Sequence, residues 1–303
     1  MKRLGKIVLR IILVLFILLN IVCAFQAYKL THFYDAGESI KQNKVQAILF
    51  GINAAKKPND AADTVSQKVI LTTPGHLKLE GWYAPVDSAK GTVCLFHGHG
   101  GNKSGVNNEA AAFRKMGYNT LQLDFRAHGG SEGNTCTIGY DEAEDVKLAY
   151  DFIKSKGEQH IVLWGISMGA AAVSKAMNDY VLKPEKVILE MPFGSIVEAA
   201  EGRFRMMGLP PEPFSVLITF WGGTEHGFWA FNMKPAEFVK KIKCPVLLQW
   251  GANDVRVSKK ETMEIYSNLD TQKKLVIYNN SGHESLCKKE NEKWLAEVSD
   301  FLQ

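Results

Sequence analysis

Gly165-Ile166-Ser167-Met168-Gly169 sets a serine between two glycines in the spacing G-x-S-x-G. The apolar residues 160–164 precede it and the alanine-rich residues 167–177 follow. The serine is therefore expected where a strand turns sharply into a helix. Small flanking residues let the backbone turn that tightly, and the turn lifts the hydroxyl oxygen out of the fold. The unpaired N–H groups at the helix start would face an oxyanion formed by attack of Ser167 on a carbonyl. Taken alone the pattern arises by chance; the strand-to-helix context gives it weight. A second cluster, His97, His99, Asp124 and His128, invites a metal reading, but its spacing lacks the H-x-H-x-D-H form of metallo-hydrolases. The five cysteines (Cys23, Cys94, Cys136, Cys244 and Cys287) show no C-x-x-C and no tight spacing, so neither a disulfide framework nor a zinc knuckle is indicated. Cys94 falls in mid-strand as a small buried hydrophobe.

The elements needed to hold such a site are legible from residue 68 onward. Residues 69–71 and 77–84 read as a hairpin about a Thr73-Pro74-Gly75 turn. Strands are predicted over 92–96, 120–125, 160–164, 186–189, 245–250 and 274–278. Helices are predicted over 108–116, 138–154, 167–177 and 291–302. An irregular stretch of about 50 residues precedes Pro245. Strands alternating with helices imply a mostly parallel sheet with right-handed crossovers and a ligand site at the carboxyl ends of the strands. Each motif lies at such an end.

With these elements the chain resembles the α/β-hydrolase superfamily over residues 68–303. His97-Gly98-His99-Gly100-Gly101 is similar to the superfamily's oxyanion loop after the third strand. Asp124-Phe125-Arg126-Ala127-His128-Gly129-Gly130-Ser131 is similar to the segment after its fourth. The elbow at Ser167, Trp250-Gly251-Ala252-Asn253-Asp254 and Gly282-His283-Glu284 follow in order. Within the superfamily the chain looks like the serine aminopeptidase-like and Bem46-like branches, which include esterases, lipases and peptidases. The resemblance implies an α/β-hydrolase fold, a mostly parallel sheet flanked by helices with a small cap inserted at about 193–243. It implies a triad in the order Ser167, Asp254, His283, with Glu190 as the competing acid, and backbone N–H groups of His99 and Met168 as oxyanion donors. His97 and His128 would brace loops, and neither a metal nor another cofactor would be needed. The expected reaction is hydrolysis of a carboxylic ester or thioester of a small apolar acyl substrate, lipids included. Two alternatives stand beside it: a membrane-tethered peptidase, and a non-catalytic binding protein of the same fold.

Between residues 193 and 231 stand eight aromatic residues, Phe214 and Trp221 among them, with prolines at 210, 211 and 213 that break any long helix. They are expected to form a lid whose aromatics line an acyl pocket. At the other end of the chain, four basic residues and no acidic one lie in residues 1–28, about an apolar run over 11–19. This marks residues 1–28 as a membrane anchor or signal sequence with the catalytic domain extracytoplasmic. The alternative is cleavage before Phe25, with Val22 and Ala24 at the usual small positions, giving a secreted or periplasmic product. Residues 29–67 are expected to be a helical stalk with Val45, Ile48, Leu49 and Ile52 on one apolar face. The formal charge of +4 comes from the N-terminus alone, so the remainder balances at zero and offers no nucleic-acid surface. The 46% hydrophobic and 22% charged composition excludes a disordered chain.

Overall fold

A computed structural model describes residues 2–35, 45–46, 51, 54–62 and 64–303. Its centre is an eight-stranded sheet. The strands are β3 (Gln67–Thr72), β4 (Lys78–Ala84), β5 (Thr92–Phe96), β6 (Asn119–Leu123), β7 (Ile161–Ile166), β8 (Lys186–Glu190), β9 (Val246–Gly251) and β10 (Lys273–Tyr278). Their order is β10-β9-β8-β7-β5-β6-β4-β3. Only β4 runs antiparallel to its neighbours, through the hairpin with β3 and its pairing with β6. The other pairs are parallel.

Both faces of the central strands are buried, as parallel strands covered by helices require. Cys94 and Phe96 of β5 enter the core beneath α3 (Glu142–Ser155) and α4 (Met168–Asp179). Val93 and Leu95 enter the opposite core, with Phe113 of α2 (Asn107–Lys115) and Trp294 of α10 (Asn291–Leu302). The first helical prediction on the α3 face starts too early. Ile138 has φ of 55°, and the Glu142 carboxylate accepts the N–H groups of Thr137 and Gly139 at 3.0 and 2.7 Å. That loop is closed before the helix begins.

The stretch read as irregular before Pro245 is mostly helical: α5 (Ile196–Met207), α6 (Phe214–His226) and the short α7 (Pro235–Phe238). Ser195 caps α5 by accepting from the Glu198 N–H, and Gly208 ends it in the left-handed conformation. Pro210, Pro211 and Pro213 separate α5 from α6, so the break they predict is where it stands. After β9 the chain forms α8 (Lys259–Asn268), opened by a Ser258–Glu261 capping box, and before α10 comes a single turn, α9 (Leu286–Lys289).

The N-terminal helix α1 spans Lys2–Thr31. Residues 3–31 have a mean hydropathy of 3.0 in their most apolar window, long and apolar enough to cross a membrane. Most of the helical stalk expected over 29–67 lies outside the described residues. Those described are helical to Thr31 and at 45–46, while β1 (Phe33–Tyr34) pairs in parallel with β2 (Ala54–Ala55) and residues 56–62 have no regular structure. Tertiary contacts hold β1 in place. Phe33 N–H donates to Asn134 O, the Cys136 N–H donates to Thr31 O, both at 2.8 Å, and the buried Phe33 ring lies on His99 and His128 at 5.3 and 4.5 Å. Of the apolar face Val45, Ile48, Leu49 and Ile52, only Val45 lies among the described residues, and it is exposed.

Candidate active site

Ser167 sits between β7 and α4 with φ of 55° and ψ of −117°. For a residue with a Cβ this is strained, typically by about 1–3 kcal/mol. Two close approaches hold it there. A Cβ on Gly165 would come 2.6 Å from the backbone of Gly169, and one on Gly169 would come 2.1 Å from Phe96 O. Both glycines of the motif are thus fixed by backbone meeting backbone, and the helix start is pressed against the end of β5. There Gly98 faces the serine: a Cβ on it would lie 3.4 Å from Ser167 Cβ.

The loops after β9 and β10 abut in the same way. A Cβ on Gly251 would lie 2.5 Å from Gly282 O, and the Asn253 N–H donates to Ser281 O at 3.0 Å. This brings Asp254 and His283 together. Asp254 Oδ1 accepts the N–H groups of Arg256 and Val257 at 2.7 and 2.9 Å. Its Oδ2 lies 2.7 Å from His283 Nδ1, and His283 Nε2 lies 2.9 Å from Ser167 Oγ. With Nδ1–H donating to the carboxylate, Nε2 is left with the lone pair that can accept the serine proton.

Glu190, the competing acid, is elsewhere. It is fully buried at the end of β8, where Oε1 accepts from Trp164 Nε1, Trp294 Nε1 and Gln249 Nε2 at 3.0, 2.6 and 2.9 Å. Its Oε2 is buried with no partner among the described residues. Burial, reinforced by nearby Glu109, pushes its pKa up to about 8.

His97, His99 and His128 have both ring nitrogens engaged. His97 Nδ1–H donates to Gly98 O at 2.8 Å, and Nε2 accepts from the Phe125 N–H at 3.1 Å. His128 Nδ1–H donates to Arg126 O at 2.9 Å, and Nε2 accepts from the Gly100 N–H at 3.1 Å. His128 therefore braces the loop after β5 as well as its own. His99 Nε2–H donates to Leu30 O of α1 at 2.8 Å, while Nδ1 accepts from Arg203 Nη2 of α5 at 2.8 Å. These lone pairs are committed within the protein. Asp124 is likewise occupied: it accepts the Lys103 and Gly130 N–H groups and pairs with the buried Lys103 ammonium. The closest group of possible metal ligands among the described residues is His32, Glu225 and His226. The two imidazoles there stack at 5.6 Å and 25°.

A cavity of about 300 Å³ opens beside Ser167 and His283. Phe193, Ile196, Ile218 and Phe228 of the cap line it, with Ala27 and Leu30 of α1. The cap aromatics divide differently from the sequence reading. Phe204, Phe214 and Trp221 pack with Cys23, Ala27 and Leu19 of α1, and Trp221 Nε1 donates to Asn20 Oδ1 at 3.1 Å. Neither Phe214 nor Trp221 lines the cavity; the N-terminal helix is their partner. That helix was not part of the expected site, and no local pattern points to it.

Comparisons with known proteins agree with this architecture. Residues 87–212 match the family described as serine aminopeptidase, S33. The chain is 25% identical over 228 residues to the uncharacterised protein YqkD of Bacillus subtilis, covering 74% of this chain and 75% of that one. It is 27% identical over 189 residues to the lysophosphatidylserine lipase ABHD12 of Danio rerio, covering 58% of this chain and 47% of the lipase. It thus spans about half the length of that lipase. Among solved structures, the Pyrococcus furiosus esterase Pf2001 superimposes with a TM-score of 0.68 at 23% identity, covering 82% of this chain and 96% of the esterase.

Proposed function

For this chain, which has the α/β-hydrolase fold, we propose a serine hydrolase that cleaves carboxylic esters or thioesters of apolar acyl groups. The observation that carries the reading is the unbroken line of hydrogen bonds from Asp254 through His283 to Ser167, ending on a strained turn beside an apolar cavity. Ser167 Oγ attacks the acyl carbonyl while His283 Nε2 takes its proton. Asp254 holds Nδ1–H and stabilises the imidazolium. The backbone N–H groups of His99 and Met168 receive the oxyanion. His283 returns the proton to the leaving oxygen or sulfur, and water repeats the sequence on the acyl-enzyme. Lipase and esterase relatives support a hydrolase, and the apolar lining supports an acyl substrate.

The protein is read as membrane-anchored by α1. Cleavage before Phe25 would cut between Cys23 and Ala27, both buried against α6, which supports retention of the helix. The serine aminopeptidase match favours a peptidase as the second reading. The test is labelling of the full-length protein by a fluorophosphonate probe, followed by parallel assays on acyl esters, thioesters and amino-acid anilides. Ester turnover with probe labelling is expected. Anilide turnover alone would replace the ester reading by the peptidase, and absence of both labelling and turnover would leave a non-catalytic binding protein.

A further inference from the structure

Two guanidinium groups face the cavity without a counterion. Arg203 of α5 and Arg256, two residues beyond Asp254, both line it. Two other arginines of the hydrolase domain are matched by acids. Arg126 holds Glu144 and Asp145, and Arg205 holds Glu201 and Glu261. Among the described residues no carboxylate lies within 4.0 Å of Arg203 or Arg256. Arg203 gives one N–H to His99 Nδ1, and Arg256 rests Nε and Nη2 on the uncharged sulfur of Met206 at 3.3 and 3.1 Å. None of their nitrogens is a buried orphan, so the remaining N–H groups open on the cavity or on water.

The two like charges are held together by construction. Gly202 presses α5 on the Arg256 loop, where a Cβ would lie 2.2 Å from Arg256 O. Arg205 adds bonds to Arg256 O and Val255 O at 2.6 and 3.3 Å. Burial and the neighbouring Arg256 push the Arg203 pKa down to about 10, still far above neutrality, so Arg203 stays charged. The exposed Lys57 adds a third cation to the lining. The acids of the cavity do not offset them. Glu109 is fully buried, receives the Ser285 hydroxyl, and burial raises its pKa. Glu284 is exposed at the rim and accepts from the Gly282 N–H at 3.4 Å. Arg203 is half-buried and Arg256 exposed at the cavity's edge, near enough to repel each other, and an anion between them would relieve that repulsion. A guanidinium presents a fork that matches carboxylate or phosphate oxygens.

We propose that Arg203 and Arg256 form an anion subsite in the cavity wall, so that the preferred ligand joins an apolar chain to a phosphate or carboxylate group. As a statement about the substrate this rests on the hydrolase reading; as a statement about binding it does not. The test uses full-length Ser167→Ala protein, which cannot turn over an ester, titrated with phenyl phosphate, benzoate and benzyl alcohol. Charge-assisted bonds to two arginines should make an anion bind at least about tenfold more tightly than benzyl alcohol. Phenyl phosphate ahead of benzoate identifies a phosphate subsite, and the reverse a carboxylate subsite. Arg256→Gln and Arg203→Gln should each remove most of the advantage while benzyl alcohol binding persists. Arg256→Gln is the cleaner variant, because its backbone N–H still serves Asp254. Equal binding of the three probes, or an anion advantage that survives both substitutions, overturns the subsite. Tight anion binding by the variant, with no ester cleavage by the wild-type protein, would keep the subsite and discard the hydrolase reading.

Discussion

Replacing Glu190 by glutamine should stabilise the protein above neutral pH and leave its chemistry alone. The folded carboxyl titrates at about 8, against an ordinary 4.5. Between those values the folded state keeps a proton that the unfolded chain has released, so stability falls as pH rises and levels off above about 8. Each pH unit is worth about 1.4 kcal/mol. At neutral pH the accumulated loss is about 3 kcal/mol. Glutamine has nearly the same shape and keeps an oxygen for Trp164, Trp294 and Gln249. Its amide replaces Oε2, which already lacks a partner, so one orphan is exchanged for another and the ionisation disappears. Thermal unfolding of both proteins should give similar midpoints near pH 5. By about pH 8 the wild type should melt lower, by roughly 6 to 10 °C on the usual conversion for large domains. Ester hydrolysis should be unchanged, because Glu190 has no bond to His283. A Glu190→Gln protein that melts below the wild type at pH 8 would refute the protonated-carboxyl reasoning. Loss of activity in Glu190→Gln with a harmless Asp254→Asn would put the triad acid on β8.

Ser167→Ala should lose ester turnover and probe labelling with an unchanged melting profile, and undiminished hydrolysis in the purified variant would end the proposed mechanism. Asp254→Asn should lower kcat by about 10⁴, since asparagine favours the wrong His283 tautomer; a loss under about tenfold in steady-state assays would refute that role. Esters from acetyl to decanoyl should rise in kcat/KM, by up to about 0.8 kcal/mol per buried methylene. Ile218→Trp, which fills the cavity wall, should shorten the preferred chain, whereas a flat profile in both proteins would reject an acyl pocket. Trp221→Ala should loosen α1 from the cap, read as faster proteolysis near Asn20; unchanged proteolysis would contradict the packing described here. The full-length protein should sediment with membranes, and a mature N-terminus at Phe25 would show cleavage instead.

The elbow and the order of the motifs along the strands were legible because each depends on local sequence. Glycines that meet backbone leave a fixed spacing, and loops after buried strands announce themselves by composition. The choice between Asp254 and Glu190 was not local. Both follow apolar strands, and only the abutting loops around Gly251 and Gly282 bring one of them to His283. Phe214 and Trp221 depart from the expected acyl lining for a related reason: an apolar side chain advertises burial but not its partner. Trp221 finds Asn20, two hundred residues earlier. The extended path after Thr31 depends on Phe33 meeting His99 and His128, which no periodicity can register. The Ser258–Glu261 capping box, by contrast, was readable as S-x-x-E and marks the one sizeable helix of the main domain that sequence reasoning passed over.

On α1, residues 4–18 are exposed along their length, whereas from Leu19 onward the helix is progressively covered by the cap. At about 1.5 Å per residue the uncovered part measures about 22 Å, less than the roughly 30 Å hydrocarbon thickness of a bilayer. A helix that crosses the membrane must therefore draw part of the cap down to the headgroup level, as hydrophobic mismatch would demand. The cap surface suits that depth, since Met206, Met207, Leu209, Phe220 and Trp229 are exposed there. On the proposed reading, Ala27 and Leu30 then make the anchor itself a wall of the cavity beside Ser167. An acyl chain would reach Ser167 from the lipid layer without crossing bulk water, and the anchor would set the direction of approach as well as the address.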